Sequence, residues 1–126
     1  MYFNALAARA GLPWRAVSRG LDLERGVLNI GPMARVAVEW LRHQGVADES
    51  CRRFPAEAVA DDFARADRVI ALDDAEHRPL VVDLFPDQID RVEFWQVEDA
   101  PGVLPLIGQL VGQLIAALAA GANGTA

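Results

Sequence analysis

Short apolar runs that alternate with helical segments most constrain how this chain can fold. The runs Arg68–Leu72 and Arg91–Val97 are rich in the β-branched, aliphatic and aromatic residues typical of strands. A helical segment over residues 75–84 separates them, and the acids Asp73-Asp74 at the end of the first run are its predicted cap. An earlier candidate strand, Trp14–Ser18, precedes a helix predicted over Met33–Gln44. Strands separated by helices indicate a parallel sheet with right-handed crossovers. The sequence therefore predicts an α/β domain.

Three further helices complete the predicted order. One occupies the start of the chain, Met1–Ala10, without a Ser, Thr, Asp or Asn cap before it and with Gly11 as its predicted end. A short acidic helix covers Ala56–Ala66, and the last helix follows the final strand. A length of 126 residues fits one domain, residues 1–120, followed by a flexible tail, residues 121–126.

Composition narrows the classes of partner. The net charge is −6, and all 12 basic residues are Arg. An acidic chain is a poor partner for nucleic acid or for an anionic membrane surface, so neither is expected. A single cysteine cannot form an internal disulfide, and no secretory signal pattern is visible, which favours the reducing cytoplasm.

The C-terminal stretch, residues 102–126, carries no charge and contains a G-x-x-x-G pattern at Gly108 and Gly112, which is typical of membrane helices. Against a membrane span, its strongly apolar run is at the short end of the required length. Gln109 and Gln113 also recur at a spacing of four and form a polar stripe opposite a Leu/Ile/Val face. A terminal helix that docks on the rest of the protein is the better interpretation.

Several short motifs follow one another in a recurring order. In chain order they are Ser18-Arg19-Gly20 after a strand, Gly31-Pro32 before a helix, Gly45-Val46 after it, Asp62-Phe63 in a short helix, the strand Val69–Asp73 and the segment Glu76-His77-Arg78. This order and spacing resembles the low-molecular-weight protein tyrosine phosphatase family and its arsenate-reductase cousins. The resemblance extends from Met1 to about Leu118.

The resemblance implies a flavodoxin-like parallel sheet with helices on both faces. In this family a Cys-x5-Arg loop follows the first, central strand, and its thiolate attacks phosphorus while backbone N–H groups and the Arg hold the phosphate. Met1 corresponds to a position inside the family's first helix, so we expect the first strand, the nucleophile and the phosphate-binding Arg to be missing. Cys51 does not replace the nucleophile, because a Cys-x5-Arg motif would need Arg at position 57, and that residue is Glu57.

Two candidate site residues remain by resemblance. Asp99 approximates the family's Asp-Pro general acid with one residue inserted before Pro101, and Glu98 is the alternative carboxylate. Ser18 corresponds to the serine that supports the phosphate loop. His43 and His77 have no second ligand at metal-binding spacing, so we expect two surface histidines, no metal and no cofactor.

Three functions are compatible with these residues. The first is a protein tyrosine phosphatase-like domain that is inactive as this chain, with Met1 a misassigned start or the product of a truncated gene. A longer form would act on a phosphorylated protein or a small phosphomonoester. The second is a non-catalytic pseudophosphatase or interaction module. Arsenate reduction ranks last, since it usually needs additional cysteines and Cys51 is the sole cysteine.

Overall fold

A computed structural model of the protein describes residues 1–21, 35–47, 56–97 and 102–123. Two compact units are formed: a helical unit from residues 1–17, 35–47 and 102–123, and an α/β unit from residues 18–21 and 56–97. In chain order the elements are α1 (Tyr2–Arg9), α2 (Arg35–His43), α3 (Ala60–Arg65), β1 (Val69–Ala71), α4 (Asp74–Leu84), a 3-10 helix (Pro86–Arg91), β2 (Val92–Phe94) and α5 (Val103–Asn123).

Glycines end the first two helices of the helical unit, as the sequence predicts. α1 begins at Tyr2, its N-cap Met1 makes no side-chain capping hydrogen bond, and Gly11 follows the helix with φ of 69°. α2 is followed by Gly45 with φ of 71°. Only glycine adopts this left-handed conformation without a steric cost, and it lets the chain reverse at a helix end. The predicted start of α2 at Met33 lies outside the described residues.

The prediction of a strand over Trp14–Ser18 is wrong. The segment is not part of a ladder; instead the side-chain amide of Asn4 holds it at Ala16. Asn4 Nδ2 donates to the Ala16 carbonyl at 3.0 Å, and the Ala16 N–H donates to Asn4 Oδ1 at 2.7 Å. One side chain thus satisfies the two backbone groups that a neighbouring strand would otherwise pair. Without that strand, Val17 stays 72% exposed.

Aromatic packing organises the core of the helical unit. The rings of Tyr2 and Trp40 lie edge to face with their centroids 5.0 Å apart, and both pack around the buried Leu41. α5 packs against α1, and its Gly108 lies directly on the Trp40 indole. A Cβ at Gly108 would lie 3.0 Å from two indole carbons, so the absence of a side chain here permits the close approach.

The α/β unit contains a parallel strand pair. β1 and β2 pair in the register Val69↔Val92 and Ala71↔Phe94, and α4 lies between them in the chain. This arrangement confirms a mixed α/β structure with parallel strands. In the described residues the sheet has these two strands. Both are shorter than predicted, and a 3-10 helix, Pro86–Arg91, takes up the first residue of the predicted second strand.

α3 begins four residues later than the sequence predicts. Residues 56–58 run extended beside Gly20, whose N–H donates to the Ala56 carbonyl at 2.8 Å and whose carbonyl accepts from the Ala58 N–H at 2.9 Å. The Asp62 carboxylate then accepts from the Val59 N–H at 2.9 Å and starts the helix at Ala60. A long-range backbone pairing therefore outcompetes the first turn of a helix.

Side chains that lie far apart in the sequence pack together in the core of the α/β unit. Phe63 is buried against Phe85, with ring centroids 4.6 Å apart. The guanidinium of Arg91 donates to the carbonyls of Phe63 and Ala66, the latter at 2.8 Å. These carbonyls at the end of α3 have no partner within the helix, so Arg91 ties α3 to the strand pair.

An ion pair joins β1 and β2 at their start. Arg68 donates from Nη2 to Glu93 Oε1 at 2.5 Å and from Nε to Glu93 Oε2 at 2.9 Å. This two-point hydrogen bonding lowers the pKa of Glu93 below its usual value. The side chains are 36% and 43% exposed, which limits the contribution of the pair to stability.

Gly108→Ala and Gly112→Ala form a matched pair that tests the packing of α5. Both changes raise helix propensity by about 0.5–1 kcal/mol. Only the methyl group at position 108 meets Trp40, whereas a Cβ at Gly112 has nothing within 4 Å. We expect Gly112→Ala to raise the free energy of unfolding in urea and Gly108→Ala to lower it, a difference of about 1–3 kcal/mol. Equal effects of the two substitutions would show that Gly108 is not a packing contact.

Glu93→Gln tests the pH dependence that the ion pair with Arg68 imposes. Because the pKa of Glu93 is lowered on folding, its stabilisation is present above the unfolded pKa near 4.3 and is lost as pH falls through the lower folded pKa. The loss of unfolding free energy between pH 7 and pH 3 should therefore shrink in Glu93→Gln, by roughly 0.5 kcal/mol. In an Arg68→Gln background the same substitution should leave the pH profile unchanged; an unchanged profile with Arg68 present contradicts the prediction.

Candidate functional site

The carboxyl ends of β1 and β2 stay paired beyond the strands. The Trp95 N–H donates to the Ala71 carbonyl at 2.8 Å, and the Asp74 N–H donates to the Trp95 carbonyl at 2.9 Å. Asp73 and Gln96 form a further bridge, now antiparallel. These hydrogen bonds bring two polar side chains to the same edge of the sheet, where ligands bind in open parallel sheets.

An open depression of about 320 Å³ lies at this edge, lined by Asp73, Asp74, Ala75 and Gln96. Three of these residues come from the start of α4 and one from the segment after β2. The sequence predicts two acids, Asp73 and Asp74, at the end of a strand, and the structure places both on the depression. It is the candidate functional site of the described part of the chain.

Asp73 is the cap of α4, as predicted. Its Oδ1 accepts from the Glu76 N–H at 3.1 Å, and its backbone N–H donates to Nδ1 of His77 at 3.1 Å. The His77 N–H in turn donates to the Asp73 carbonyl at 2.7 Å. His77 is half-buried and makes the first helical turn with Asp73, rather than lying free on the surface as expected.

Asp74 is paired with a cation from its own helix. Arg78 donates from Nε to Asp74 Oδ1 at 2.6 Å and from Nη2 to Asp74 Oδ2 at 3.2 Å. The hydrogen bonding from Arg78 lowers the pKa of Asp74 below its usual value. The Arg78 guanidinium carbon also lies 4.1 Å from the centre of the Phe94 ring. Arg78 is thus engaged on two sides, by a carboxylate and by an aromatic face.

The chemistry of this edge does not suit an anion. A helix N-terminus attracts negative charge, but Asp73, Asp74 and Glu76 already supply it in the first turn of α4. The described residues that line the depression include two carboxylates and no basic side chain. These residues would repel a phosphate and offer it no compensating cation. Among the described residues, no three His, Cys, Asp or Glu side chains lie close enough together to hold a metal ion.

Ser18, predicted to support a phosphate loop, is exposed and does not line the depression. Its carbonyl accepts from Nη1 of Arg19 at 2.8 Å, and Arg19 also lies 3.3 Å from the Asp62 carboxylate. Asp99, its alternative Glu98, and Cys51 lie outside the described residues. The structure therefore brings together the two acids after β1 and leaves Ser18 apart from them.

Gln96 is a further site residue, and it lies outside the motifs recognised in the sequence. A signal for it exists: Asp73 lies two residues after β1, and Gln96 lies two residues after β2. Because the strands are parallel and in register, equivalent offsets beyond their ends reach the same place. Applying that offset to the second strand would have identified the glutamine.

Comparison with protein-family models, with curated proteins and with solved structures found no match. Function must therefore be inferred from the residues and their geometry.

Asp73→Ala and Asp73→Asn separate the capping role of this residue from its charge. Alanine removes the acceptor of the Glu76 N–H and should lower the free energy of unfolding by about 1 kcal/mol. Asparagine retains an acceptor oxygen at the cap, so its effect should be only a few tenths of a kcal/mol. Urea unfolding followed by far-UV circular dichroism measures both. If the alanine variant were as stable as the wild type, the result would show that the Asp73 side chain does not stabilise the start of α4.

Proposed function

We propose that this chain is a low-molecular-weight protein tyrosine phosphatase-like domain that has no phosphatase activity of its own. The observation that carries the proposal is the parallel β1–α4–β2 arrangement with an acid-lined edge at Asp73. This arrangement supports the resemblance to the phosphatase family from the motif Val69–Asp73 onward. Asp99 comes shortly after β2 in the chain, where the family places its general acid.

The proposal includes a flavodoxin-like sheet in which a further strand belongs beside β1. In the described residues β1 pairs with β2 alone. The Trp95 N–H bonds the Ala71 carbonyl, so alternation along the strand directs the N–H and C=O of Ile70 to the opposite edge. A parallel strand at that edge would take the place of the family's first, central strand.

Two independent features support the lack of activity. The printed sequence contains no Cys-x5-Arg, since Cys51 is its sole cysteine and residue 57 is Glu. The depression at the sheet edge also has no basic side chain among the residues described around it, and Arg78 is held by Asp74. Cysteine-based phosphoryl transfer needs both a thiolate and donors for the phosphate oxygens.

The remaining assignments follow from the same proposal. Asp99 is the general acid, with Glu98 as the alternative, and Ser18 supports the phosphate loop in a complete site. The substrate class of such a site is a phosphorylated protein or a small phosphomonoester, without a cofactor. The protein acts in the cytoplasm. Arsenate reduction is the less favoured chemistry, because one cysteine cannot both attack and resolve.

A non-catalytic interaction module is the second candidate function. The acid-lined depression favours it, because carboxylates without a free basic neighbour suit a basic or neutral partner better than a phosphate ester. In this case too the chain turns over no substrate.

Two experiments test the proposal: a phosphatase assay of this chain and the same assay of a fusion protein. The 126-residue chain should not hydrolyse p-nitrophenyl phosphate, and phosphate should raise its urea midpoint no more than sulfate does at equal ionic strength. Fusion of a low-molecular-weight phosphatase's first strand and Cys-x5-Arg loop ahead of Met1 should create hydrolysis. The same fusion with Ser in place of the loop Cys is the inactive control.

Within the active fusion, Asp99→Asn should reduce kcat about 10²- to 10⁴-fold, as expected for loss of a general acid. Glu98→Gln should leave kcat nearly unchanged; the reverse result would transfer the role to Glu98. A fusion that folds cooperatively but shows no hydrolysis above the Ser control would contradict the family assignment.

A further inference from the structure

The imidazole of His77 takes part in the hydrogen bonding that starts α4. Its Nδ1 accepts from the backbone N–H of Asp73 at 3.1 Å, while the backbone N–H of His77 donates to the Asp73 carbonyl at 2.7 Å. In a capping box, a side chain from the first turn reaches back to the N–H of the capping residue, and that side chain is usually Glu or Gln. At α4 a half-buried histidine, one position further along the helix, takes this place.

The backbone N–H of Asp73 needs this ring because of the way the two strands continue past their ends. Asp73 forms an antiparallel bridge with Gln96. The cross-strand hydrogen bonds of the bridge use the neighbouring residues, through the Leu72 carbonyl and the Asp74 N–H. Since successive backbone groups of a strand point to opposite sides, the N–H of Asp73 itself points away from Gln96. The His77 ring supplies the acceptor on that side.

Only a neutral ring can accept this hydrogen bond. Nδ1 must have a free lone pair to accept from the Asp73 N–H, so the proton of the neutral ring lies on Nε2. In an imidazolium both nitrogens are donors, and Nδ1–H would then face the Asp73 N–H with no acceptor between them. Histidine is the side chain that ordinarily changes its charge between pH 5 and pH 8. Acid is therefore a signal that removes this bond.

We propose that His77 is a pH-sensitive lock on the start of α4: the neutral ring holds the Asp73 N–H, and protonation of Nδ1 releases it. The release reaches the candidate site because Asp73 lines the depression and its carboxylate accepts from the Glu76 N–H. In the locked state Asp73 is fixed at the edge of the sheet. In the released state the first turn of α4 loosens and a positive charge stands beside it. The lock does not depend on the function proposed for the chain.

The first turn of α4 offers acceptors to the protonated ring. Its carboxylates are those of Asp73, Asp74 and Glu76, and the Asp74 carboxylate is already paired with Arg78. An imidazolium that leaves the Asp73 N–H can donate to either of the other two carboxylates. The ring thus exchanges one partner for another when it is protonated, and the backbone N–H is the group left without a partner.

The elements that pack against α4 place their charged groups away from this ring. The 3-10 helix carries Asp87, Asp90 and Arg91, but it leads into the start of β2, at the opposite edge of the sheet from His77. Arg91 is also engaged by carbonyls of α3. β1 consists of Val, Ile and Ala, and Gln96 across the depression does not titrate. In the described part of the α/β unit, a response between pH 5 and pH 8 therefore belongs to the imidazole.

Long-range proton–nitrogen NMR spectra of the His77 ring in the full chain test the first step. At about pH 8 they should show Nε2 with a proton and Nδ1 without one, and at about pH 5.5 both nitrogens should be protonated. The opposite tautomer at pH 8 would overturn the proposal, because Nδ1 could not then accept from Asp73. A ring that stays neutral down to pH 5.5 would overturn it as well.

Hydrogen exchange of the Asp73 amide tests the release itself. As the ring is protonated, the protection of this amide, corrected for the intrinsic effect of pH, should fall about 5- to 10-fold, as expected for the loss of one hydrogen bond. The Trp95 amide donates to the Ala71 carbonyl within the sheet and is the internal reference, whose protection should not change. If the Asp73 amide keeps its protection while the ring is protonated, the lock does not exist.

Two histidine variants form a matched pair that assigns the response. His77→Gln removes the titrating ring, so the Asp73 amide should no longer respond to pH, whether or not the glutamine reaches it. His43→Gln removes the other histidine, at the end of α2, and should leave the response of Asp73 unchanged. A response that survives in His77→Gln or disappears in His43→Gln would overturn the proposal. Circular dichroism checks that both variants are folded, and the wild-type experiments decide the matter if His77→Gln is not.

Discussion

The supply of hydrogen-bond partners to backbone groups is the constraint on which both units depend. Two strands of three residues and a helix of six leave many N–H and C=O groups beyond the reach of their own element. Side chains from elsewhere in the chain complete these bonds. The side chain of Asn4 hydrogen-bonds the backbone at Ala16, that of Arg91 hydrogen-bonds the end of α3, and that of Asp73 hydrogen-bonds the start of α4. Such a fold is built as much by polar side chains as by its small buried core.

Local signals in the sequence predicted the features that are decided locally. Gly11 and Gly45 end their helices because left-handed backbone is needed at those points, and Asp73 caps α4 because it stands just before the first turn. The parallel order of β1 and β2 follows from the helix between them. These inferences need only the chemistry of a few neighbouring residues.

Features that depend on hydrogen-bond partners far away in the chain could not be predicted from the sequence. Nothing near Trp14–Ser18 shows that the amide of Asn4 will take the place of a strand, or that Gly20 will pair with residues 56–58 in preference to a helical turn. Gln96 joins the candidate site only because the two strands continue to pair past their ends. In each case the hydrogen-bond partner that decides the structure lies more than ten residues away in the chain. The hydrophobic periodicity of a segment carries no information about such a distant partner.

The helical unit is discontinuous in sequence, and this has a consequence for how the chain acquires structure. The segment 56–97 has its strands, α4 and Phe63 core within one stretch, so it can fold once that stretch has left the ribosome. α1 and α2 are made earlier but must await α5, the last element, whose Gly108 completes the packing around Trp40. During synthesis Tyr2 and Trp40 are therefore apolar side chains without their final cover. α1 and α2, which are made before the α/β unit, are thus among the last of these elements to become native.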